Sequence, residues 1–386
     1  MSNPAVVKYQ ALFGSKPDIV VSSPGRINLI GEHTDYNGGL VMPAAINMYM
    51  TMALGVKNAS SRVDIHTMLV DETISFDLNN IQNQNEGWVE HFKGICKVFL
   101  KNGFELNGMN CVVHSDIPLG AGVSSSSALE CAFLKGVDHL FNCNLNDWVL
   151  IDYSQWANHH YLGVQGGILD QFAILFGKEA MAIKMNCATR DYKYLPASIE
   201  GYSWVLINTN VKHNHLESGY NDRVRECNEA LSQIQNQNPE IENLSEVQLN
   251  ELPSLFSYLE EVPYKRLKFI VEENDRVKRF KTAITDQDLE LVSKLLIMSH
   301  EGLRDLYEVS CEELDFLVDF MKGVDSVVGS RMMGGGFGGC TINLIKANEI
   351  EQVCKSCQAA YKESFNKEAD YFVVDLSNSC QVFSVE

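Results

Sequence analysis

A glycine-containing loop that runs into a serine-rich helix constrains the fold of this chain more than any other segment. In PLGAGVSSSSALE, residues 118–130, two glycines allow a tight turn and the serines then open a helix. Leu129, Phe133 and Val137 recur at helical spacing and predict one apolar face. Free backbone N–H groups and the positive end of the helix dipole would point at an anion placed there. The segment therefore predicts a phosphate site, although a Ser N-cap after a glycine turn would produce the same pattern.

Two common nucleotide-binding patterns do not fit the sequence. The Walker pattern G-x4-G-K-[ST] is absent, because the single Gly-Lys pair is followed by Glu179. The segment MMGGGFGGCTINLI, residues 332–345, contains G-x-G-x-x-G, but a strand-like run follows where a dinucleotide fold requires a helix. Five glycines in the six positions 334–339 exceed what one turn requires. We expect them to let the backbone approach another group closely.

A third block is rich in short polar side chains. The segment PGRINLIGEHTDYN, residues 24–37, places Arg26, Glu32, His33 and Asp35 within ten residues. Such side chains suit the recognition of neighbouring sugar hydroxyls, because each hydroxyl is both a donor and an acceptor. A solvated loop could carry the same residues, so this block alone leaves both interpretations open.

The composition limits the class of protein. The chain has 386 residues, of which 45% are apolar, enough for a large core and two domains. Its formal net charge of −19 argues against a surface that binds nucleic acid or anionic membranes. No long apolar stretch and no basic-then-apolar leader occur, so we expect neither a membrane span nor a secretory signal. The eleven cysteines, an odd number, indicate reduced thiols and a cytoplasmic protein.

Hydrophobic periodicity predicts an α+β chain with two domains. Strands and turns are expected over residues 19–68. Cys354 and Cys357 form the single C-x-x-C pattern, in a helix-like stretch without a second pair for a zinc site, so we expect them to pack in a core. We place the domains at residues 1–195 and 196–386. Helices are predicted over residues 87–101, 124–141, 147–161, 220–234 and 314–322, and strands over 109–115, 181–184, 203–208, 340–345 and 370–374.

Together, the three blocks resemble the GHMP kinase superfamily and, within it, the galactokinase family. Residues 24–37 are similar to the galactokinase signature G-R-x-N-L-I-G-E-H-T-D-Y-N, and residues 118–128 to the phosphate loop P-x-x-x-G-[LV]-x-S-S-x-A. Residues 334–339 resemble the C-terminal glycine motif, and GGILDQF, residues 166–172, the segment with the catalytic Asp. The resemblance implies a ribosomal-protein-S5-like N-terminal domain, a ferredoxin-like C-terminal domain and an active site between them.

The resemblance also implies an activity and roles for single residues. It implies ATP-dependent phosphorylation of D-galactose at the anomeric hydroxyl, the first committed step of galactose catabolism, with ATP and Mg²⁺. Asp170 would accept the hydroxyl proton late in the reaction, and Arg26 would keep Asp170 ionised and neutralise the transferred phosphoryl group. A helix N-cap is the structural alternative for Asp170. The residues implied to hold the sugar are Glu32, His33, Thr34, Asp35, Gly167 and Tyr220. The residues implied to hold ATP are Gly120, Ala121, Gly122, Val123, Ser124, Ser125, Ser126 and, beside the adenine, Trp88.

One position departs from the family pattern. A Glu twelve residues before the catalytic Asp usually binds Mg²⁺ in the family, and this chain has Asn158 there. An amide oxygen can coordinate Mg²⁺ but brings no charge. We therefore expect Ser126 and Asn158 as metal ligands, with weaker metal binding or a neighbouring carboxylate as a substitute. His159 and His160 are poor Mg²⁺ ligands, and we expect them to pack or to make surface hydrogen bonds.

Other interpretations remain open from the sequence. A related kinase for N-acetylgalactosamine, galacturonate or arabinose could share most of the site. A sugar sensor that binds sugar and nucleotide but catalyses poorly is motivated by Asn158. His213 and His215, shortly before Tyr220, could line the cleft. We expect a monomer whose partners are galactose and ATP.

Overall fold

The computed structural model describes residues 3–118, 120–211 and 216–385. The helices in these ranges are α1 (Pro4–Phe13), α2 (Val89–Lys101), α3 (Ser125–Leu140), α4 (Asp147–Trp156), α5 (Leu169–Phe176), α6 (Leu216–Gln235), α7 (Leu252–Leu255), α8 (Glu261–Asp286), α9 (Leu289–Asp305), α10 (Glu312–Lys322) and α11 (Ile350–Phe365). The strands are β1 (Ile19–Asn28), β2 (Leu40–Val41), β3 (Pro43–Lys57), β4 (Arg62–Thr67), β5 (Glu72–Asp77), β6 (Gly108–Ser115), β7 (Met181–Asn186), β8 (Tyr192–Pro196), β9 (Tyr202–Asn208), β10 (Val327–Met332), β11 (Cys340–Lys346), β12 (Asp370–Val374) and β13 (Gln381–Ser384).

A six-stranded sheet in the order β13-β1-β3-β6-β4-β5 forms the frame of the N-terminal half. Its strand pairs are antiparallel except β4 with β6. Helix α3 packs against β1 and β3, where Phe133 and Val137 are fully buried and Leu129 is partly buried. The apolar face predicted for this helix is therefore confirmed, and it fixes the serine-rich N-terminus of α3 at one end of β1.

The last strand of the chain, β13, pairs with the first, β1. Ile19 pairs with Ser384 and Ser22 with Gln381, so β13 forms an edge of the sheet that β1 and β3 begin. A second sheet, in the order β10-β11-β9-β12, lies with α9, α10 and α11 in the C-terminal half. A third sheet has the order β2-β7-β8. The α+β class predicted from the sequence is thus confirmed.

Most predicted elements lie within a few residues of the observed ones. The predicted helix over residues 147–161 differs, because α4 ends at Trp156 and the chain continues as a π-helical turn over Ala157–Leu162. Cys354 and Cys357 on α11 are fully buried in an apolar cluster, which confirms their packing role. Among the described residues, no helix is long and apolar enough to cross a membrane.

Candidate active site

One cavity of about 740 Å³ brings the predicted segments together. It lies where the end of β1, the N-terminus of α3, the start of α5 and the glycine run after β10 meet. Most of the residues expected at the site reach it, and its lining includes Arg26, Glu32, His33, Asp35, Ser126, Asn158, Gly167, Asp170, Tyr220, Gly334 and Gly335.

Arg26 and Asp170 form a close ion pair in this cavity. The Arg26 Nε donates to Asp170 Oδ1 at 2.6 Å, and its Nη1 donates to the carbonyl of Gly122 at 2.6 Å. The Ser124 hydroxyl donates to the other carboxylate oxygen at 2.5 Å. Asp170 lies in the first turn of α5, whose N-cap is Ile168, so the N-cap alternative for Asp170 is wrong. A guanidinium, a hydroxyl and a helix N-terminus therefore surround the Asp170 carboxylate and fix its orientation.

The phosphate-loop segment forms a tight turn at the N-terminus of α3, as its glycines allow. Gly120 and Gly122 have φ of 75° and 72°, and Ser124 also has a positive φ of 60°. The Arg26 N–H donates to the Val123 carbonyl at 3.2 Å, which fixes the loop to β1. Ser126 lines the cavity, whereas Ala121 and Val123 are fully buried and Ser125 does not line it. Within residues 120–126, Ser126 is the one residue that lines the cavity, while the Ser124 hydroxyl contacts Asp170.

Glu32 is held by both halves of the protein. One carboxylate oxygen accepts from the Gly334 N–H at 2.7 Å and from Arg331 Nη2 at 3.2 Å, and the other accepts from the Asn28 amide. Arg331 is fully buried and also donates to the carbonyls of Asn28, Leu29 and Met332. Since a buried carboxylate is stable only with such partners, this network fixes the position of Glu32 at the cavity wall.

Thr34 does not line the cavity. It is fully buried, and its hydroxyl contacts the carbonyls of Gly31 at 3.0 Å and Leu40 at 2.7 Å. These contacts close the loop on itself between β1 and β2. The structure therefore places Thr34 as a support for the polar loop, behind the three neighbours that line the cavity.

Asp35 is in very close contact with the loop before α5. A Cβ added at Gly167 would lie 1.9 Å from Asp35 Oδ2, so only glycine fits this position without movement. Burial and the charge of Asp170 raise the pKa of Asp35 from 3.8 to about 6. Asp35 and Asp170 both line the cavity, and a perturbed pKa such as that of Asp35 is frequent at functional sites.

The glycine run approaches two other segments, as its sequence predicts. A Cβ at Gly336 would lie 2.1 Å from the Val309 carbonyl, and one at Gly334 would lie 3.4 Å from the Gly122 carbonyl. The Phe337 N–H donates to Val309 O at 2.7 Å. The expected close approach of backbone is confirmed, and it joins the glycine run to the phosphate loop and to the segment after α9.

Asn158 contacts a buried carboxylate that the sequence interpretation missed. Its amide nitrogen donates to Glu130 Oε2 at 3.0 Å, and Glu130 also accepts from the Ser154 hydroxyl and from His91 Nδ1. Glu130 is 2% exposed and lines the cavity. The sequence could have indicated that Glu130 lies beside Ser126, because it follows Ser126 by four residues on α3 and residues i and i+4 share a helix face.

The oxygen atoms near Asn158 suit Mg²⁺ chemically. Hydroxyl, amide and carboxylate oxygens of Ser126, Asn158 and Asp170 line one cavity, and Mg²⁺ prefers such ligands, usually together with nucleotide phosphates and water. Within residues 3–118, 120–211 and 216–385, no group of three or more His, Cys, Asp or Glu side chains could hold a metal by itself.

The remaining predicted residues lie around the site or outside the described part. Tyr220, on α6, lines the cavity, whereas Trp88 packs on Phe92 at the start of α2 and does not line it. His159 donates to the Gly166 carbonyl at 2.8 Å and His160 stacks on Trp156, as expected for packing roles. His213 and His215 lie outside the described residues.

Comparison with known proteins defines the class first. Residues 90–178 match the model of the GHMP kinases N terminal domain, and residues 280–363 match GHMP kinases C terminal. The structure of Methanococcus jannaschii mevalonate kinase is similar in fold, with a TM-score of 0.68 at 17% identity over 95% of this chain and all of that one. The fold and the site thus define a kinase of the GHMP class.

Closer relatives narrow the class. Residues 7–56 match the galactokinase galactose-binding signature. Galactokinases of Thermotoga maritima and Clostridium beijerinckii are each 38% identical, covering 94% and 98% of this chain and 99% and 98% of their own length. The crystal structure of Lactococcus lactis galactokinase complexed with galactose has a TM-score of 0.93 at 34% identity, over 97% of this chain and 98% of that one. The chain belongs to the galactokinase family.

Proposed function

We propose that this protein transfers the γ-phosphoryl group of ATP to the anomeric hydroxyl of D-galactose, giving galactose 1-phosphate and ADP. Its membership of the galactokinase family supports the proposal. The observation that carries it is the Arg26–Asp170 pair at 2.6 Å, in one cavity with the polar loop and the phosphate loop. This arrangement offers a proton acceptor, a fixed positive charge and a phosphate-binding helix N-terminus within one site.

In this proposal Asp170 orients the anomeric hydroxyl and takes its proton. One of its oxygens faces Arg26 and the other faces Ser124, so the carboxylate is held in one orientation. In this proposal the carboxylate accepts the proton late, when the new oxygen–phosphorus bond is nearly formed. Arg26 can then neutralise charge that develops on the transferred phosphoryl group.

The proposed sugar contacts are Glu32, His33, Asp35, Tyr220 and the backbone at Gly167. The first four place charged or polar groups on the cavity wall, and Gly167 leaves room for Asp35. Carboxylates accept from two hydroxyls each, whereas a tyrosine hydroxyl can donate or accept. Thr34 contributes indirectly, by holding the loop that carries the other residues.

The proposed nucleotide site consists of residues 120–126 with Trp88 beside it. Ser126 and Asn158 are the proposed Mg²⁺ ligands, and bound Mg²⁺ would neutralise phosphate charge. The chain itself supplies backbone N–H groups at the start of α3 and a guanidinium held against the loop carbonyl of Gly122. These groups bind and orient the phosphates, so that the γ-phosphoryl group faces the hydroxyl beside Asp170.

Turnover with a matched variant pair tests the proposal. Purified protein with ATP, Mg²⁺ and galactose is expected to release ADP and to form an anomeric phosphate detectable by ³¹P NMR. Asp170→Asn is expected to lower kcat by about a thousandfold or more, since it removes the proton acceptor. Asp152→Asn is the control, because Asp152 forms a comparable ion pair with Arg190 on the surface. No galactose-dependent ADP release above Asp170→Asn would contradict the proposal.

The same assay decides among related sugars. We expect galactose to have the highest kcat/KM in a panel with N-acetylgalactosamine, galacturonate and arabinose, because selectivity is a ratio of these constants. A higher value for another sugar would replace galactose as the substrate.

We further propose a cytoplasmic monomer. All eleven cysteines lie in the described part of the chain and carry free thiols, most of them buried. Free thiols are typical of reducing compartments. Size-exclusion chromatography with light scattering tests the monomer, and a dimeric mass would contradict it.

A further inference from the structure

The hydrogen bonds of His33 determine which of its ring nitrogens carries the proton. Nε2 lies 3.2 Å from the Gly335 carbonyl, and Nδ1 lies 2.9 Å from the Tyr36 hydroxyl. A carbonyl oxygen can only accept, so Nε2 must be the protonated nitrogen. Since burial lowers the pKa of His33 to about 3, the ring is neutral near pH 7 and Nδ1 must accept from Tyr36.

The direction of this hydrogen bond also fixes the directions of the next two, which run through Tyr36 and Tyr307 to Cys227. The hydroxyl oxygens of Tyr36 and Tyr307 are 2.7 Å apart, and the Tyr307 hydroxyl lies 3.1 Å from Cys227 Sγ. Tyr36 has one hydroxyl proton, which it gives to His33, so it must accept from Tyr307. Tyr307 in turn accepts from the Cys227 thiol. The protons therefore point in one direction along the chain Cys227–Tyr307–Tyr36–His33.

Burial keeps the two hydroxyls and the thiol of this chain protonated. Tyr307 and Cys227 are buried, and burial raises the pKa of the Tyr307 hydroxyl well above its usual range and that of the Cys227 thiol to about 11. His33 itself has a positive φ of 60°, and its carbonyl accepts from the Asn37 amide at 2.9 Å. Ring contacts of His33 with Tyr220 and Tyr307, at 5.4 Å and 4.9 Å between centroids, complete its surroundings.

We propose that Tyr36 and Tyr307, with Cys227 behind them, are positioning residues that fix His33 as the Nε2–H tautomer, so that its ring meets a sugar hydroxyl as a donor. Both His33 and its partner Gly335 line the cavity, and their contact is long at 3.2 Å, so a sugar hydroxyl placed there would share the Nε2–H with the Gly335 carbonyl. Glu32 and Asp35, on either side, are acceptors when ionised. With a donor between two acceptors, the loop can both donate a hydrogen bond to a sugar hydroxyl and accept one from it. This inference rests on the proposed sugar site.

NMR of the histidine ring nitrogens tests the tautomer without any ligand. In the full-length protein labelled with ¹⁵N-histidine, His33, assigned with His33→Gln, is expected to show a protonated Nε2 and an unprotonated Nδ1. Tyr36→Phe removes the donor to Nδ1 and leaves the long Gly335 contact as the remaining constraint, so we expect a minor population of the Nδ1–H tautomer to appear. Tyr307→Phe leaves that donor in place, so a smaller change is expected. Tyr194→Phe is the control, because it loses one hydroxyl hydrogen bond, to the Phe176 carbonyl, away from the site.

Galactose binding, measured by calorimetry on the same variants, provides the second readout. Tyr36→Phe is expected to weaken binding by about tenfold, Tyr307→Phe by less, and Tyr194→Phe not at all. The KM for ATP is expected to stay within about twofold in all three variants. A purely structural role would lower the melting temperature but leave the tautomer and the galactose affinity unchanged.

The two readouts separate failure of this inference from failure of the proposed function. An Nδ1–H tautomer in the unmodified protein, or unchanged tautomer and affinity in Tyr36→Phe, overturns the inference even if galactose is phosphorylated. If the unmodified protein does not bind galactose, the sugar site is wrong and the donor role falls with it. The NMR result still decides whether the chain fixes the tautomer.

Discussion

Asn158 occupies the position where the family resemblance leads us to expect a carboxylate, and its neighbour Glu130 supplies a negative charge nearby. Because a carboxylate oxygen accepts and does not donate, the Asn158 amide nitrogen must face Glu130, which turns the amide oxygen away from it. The Glu130 oxygens already accept from three side chains. The amide nitrogen thus helps to satisfy the buried Glu130 carboxylate, while the amide oxygen is the proposed metal ligand.

Substitution of Asn158 by Asp tests both roles. It replaces the donor by a second carboxylate about 3 Å from Glu130. Without divalent cations we expect the free energy of unfolding to fall by about 1–3 kcal/mol, and Mg²⁺ with ADP to restore part of it. Urea unfolding in EDTA and in millimolar Mg²⁺ with ADP measures the difference.

Asn47→Asp is the matched control for this substitution. The Asn47 amide also contacts a carboxylate, that of Asp375 at 3.1 Å, but on the exposed surface. We expect a loss below about 1 kcal/mol there and no greater response to Mg²⁺–ADP than in the unmodified protein. An equal Mg²⁺ response in both variants would show that no divalent cation binds beside Asn158.

At the scale of elements, the glycine run at residues 334–339 is constrained by three other segments. It contacts the phosphate loop, the polar loop and the segment after α9, so its path depends on all three. The need for glycine differs from position to position. At Gly336 the backbone has a φ of 82° and a Cβ would collide with the Val309 carbonyl at 2.1 Å.

Gly336→Ala is therefore expected to destabilise the protein much more than the same substitution at a glycine that has a positive φ but free space around it. We expect a loss of about 3 kcal/mol or more in the free energy of unfolding, with a raised KM for galactose, because the run carries Gly334 and Gly335. Gly14→Ala is the control, since Gly14 has a φ of 70° with nothing within 4 Å of its Cβ, and should lose about 1 kcal/mol. Equal losses, measured by urea unfolding, would contradict the collision.

Helices and strands were largely predictable because their signal is local. The apolar face of α3, for example, follows from spacing within one segment, whereas the contacts of its Glu130 depend on residues 24 and more positions away. Arg331 could not be assigned from sequence, because its partners Asn28 and Leu29 lie about 300 residues earlier. The supporting role of Thr34 could not be predicted either, because it lies in the same short polar segment as the neighbours that line the cavity.

At the scale of the whole molecule, Asp35 makes stability depend on pH in an unusual direction. Its pKa in the folded protein, about 6, lies above the ordinary value of 3.8. Between these pH values the folded protein retains a proton that the unfolded chain has lost. The contribution of Asp35 to stability is therefore fully present below about pH 4 and is lost as the pH rises to about 6.

Asp35→Asn is expected to remove this dependence. Relative to the unmodified protein, the variant should gain about 1–2 kcal/mol in the free energy of unfolding between pH 4 and pH 7, less than the full shift implies because Asp35 is partly exposed. Urea unfolding at several pH values measures the gain. Asp152→Asn, which breaks a surface pair, should show no such gain, and a flat difference for Asp35→Asn would contradict the raised pKa.

The division of the chain into residues 1–195 and 196–386 stays a prediction. The two halves share structure across that point, because β13 of the second half joins the sheet of the first. Arg331 and the glycine run also bind the loop that follows β1. Separate expression of residues 1–195 would show whether that half folds without these contacts, and we expect it to lack a cooperative unfolding transition.

The pairing of β13 with β1 also sets when a newly made chain can become active. Strand β1, which carries Arg26, leaves the ribosome early, but its outer edge stays open until the β13 strand has been synthesised. At about 5–20 residues per second, this delay is on the order of half a minute, during which an unpaired edge can bind other chains. Translation that stalls late should therefore yield inactive chains that depend on chaperones, and pulse-labelling with protease digestion of stalled chains would detect them.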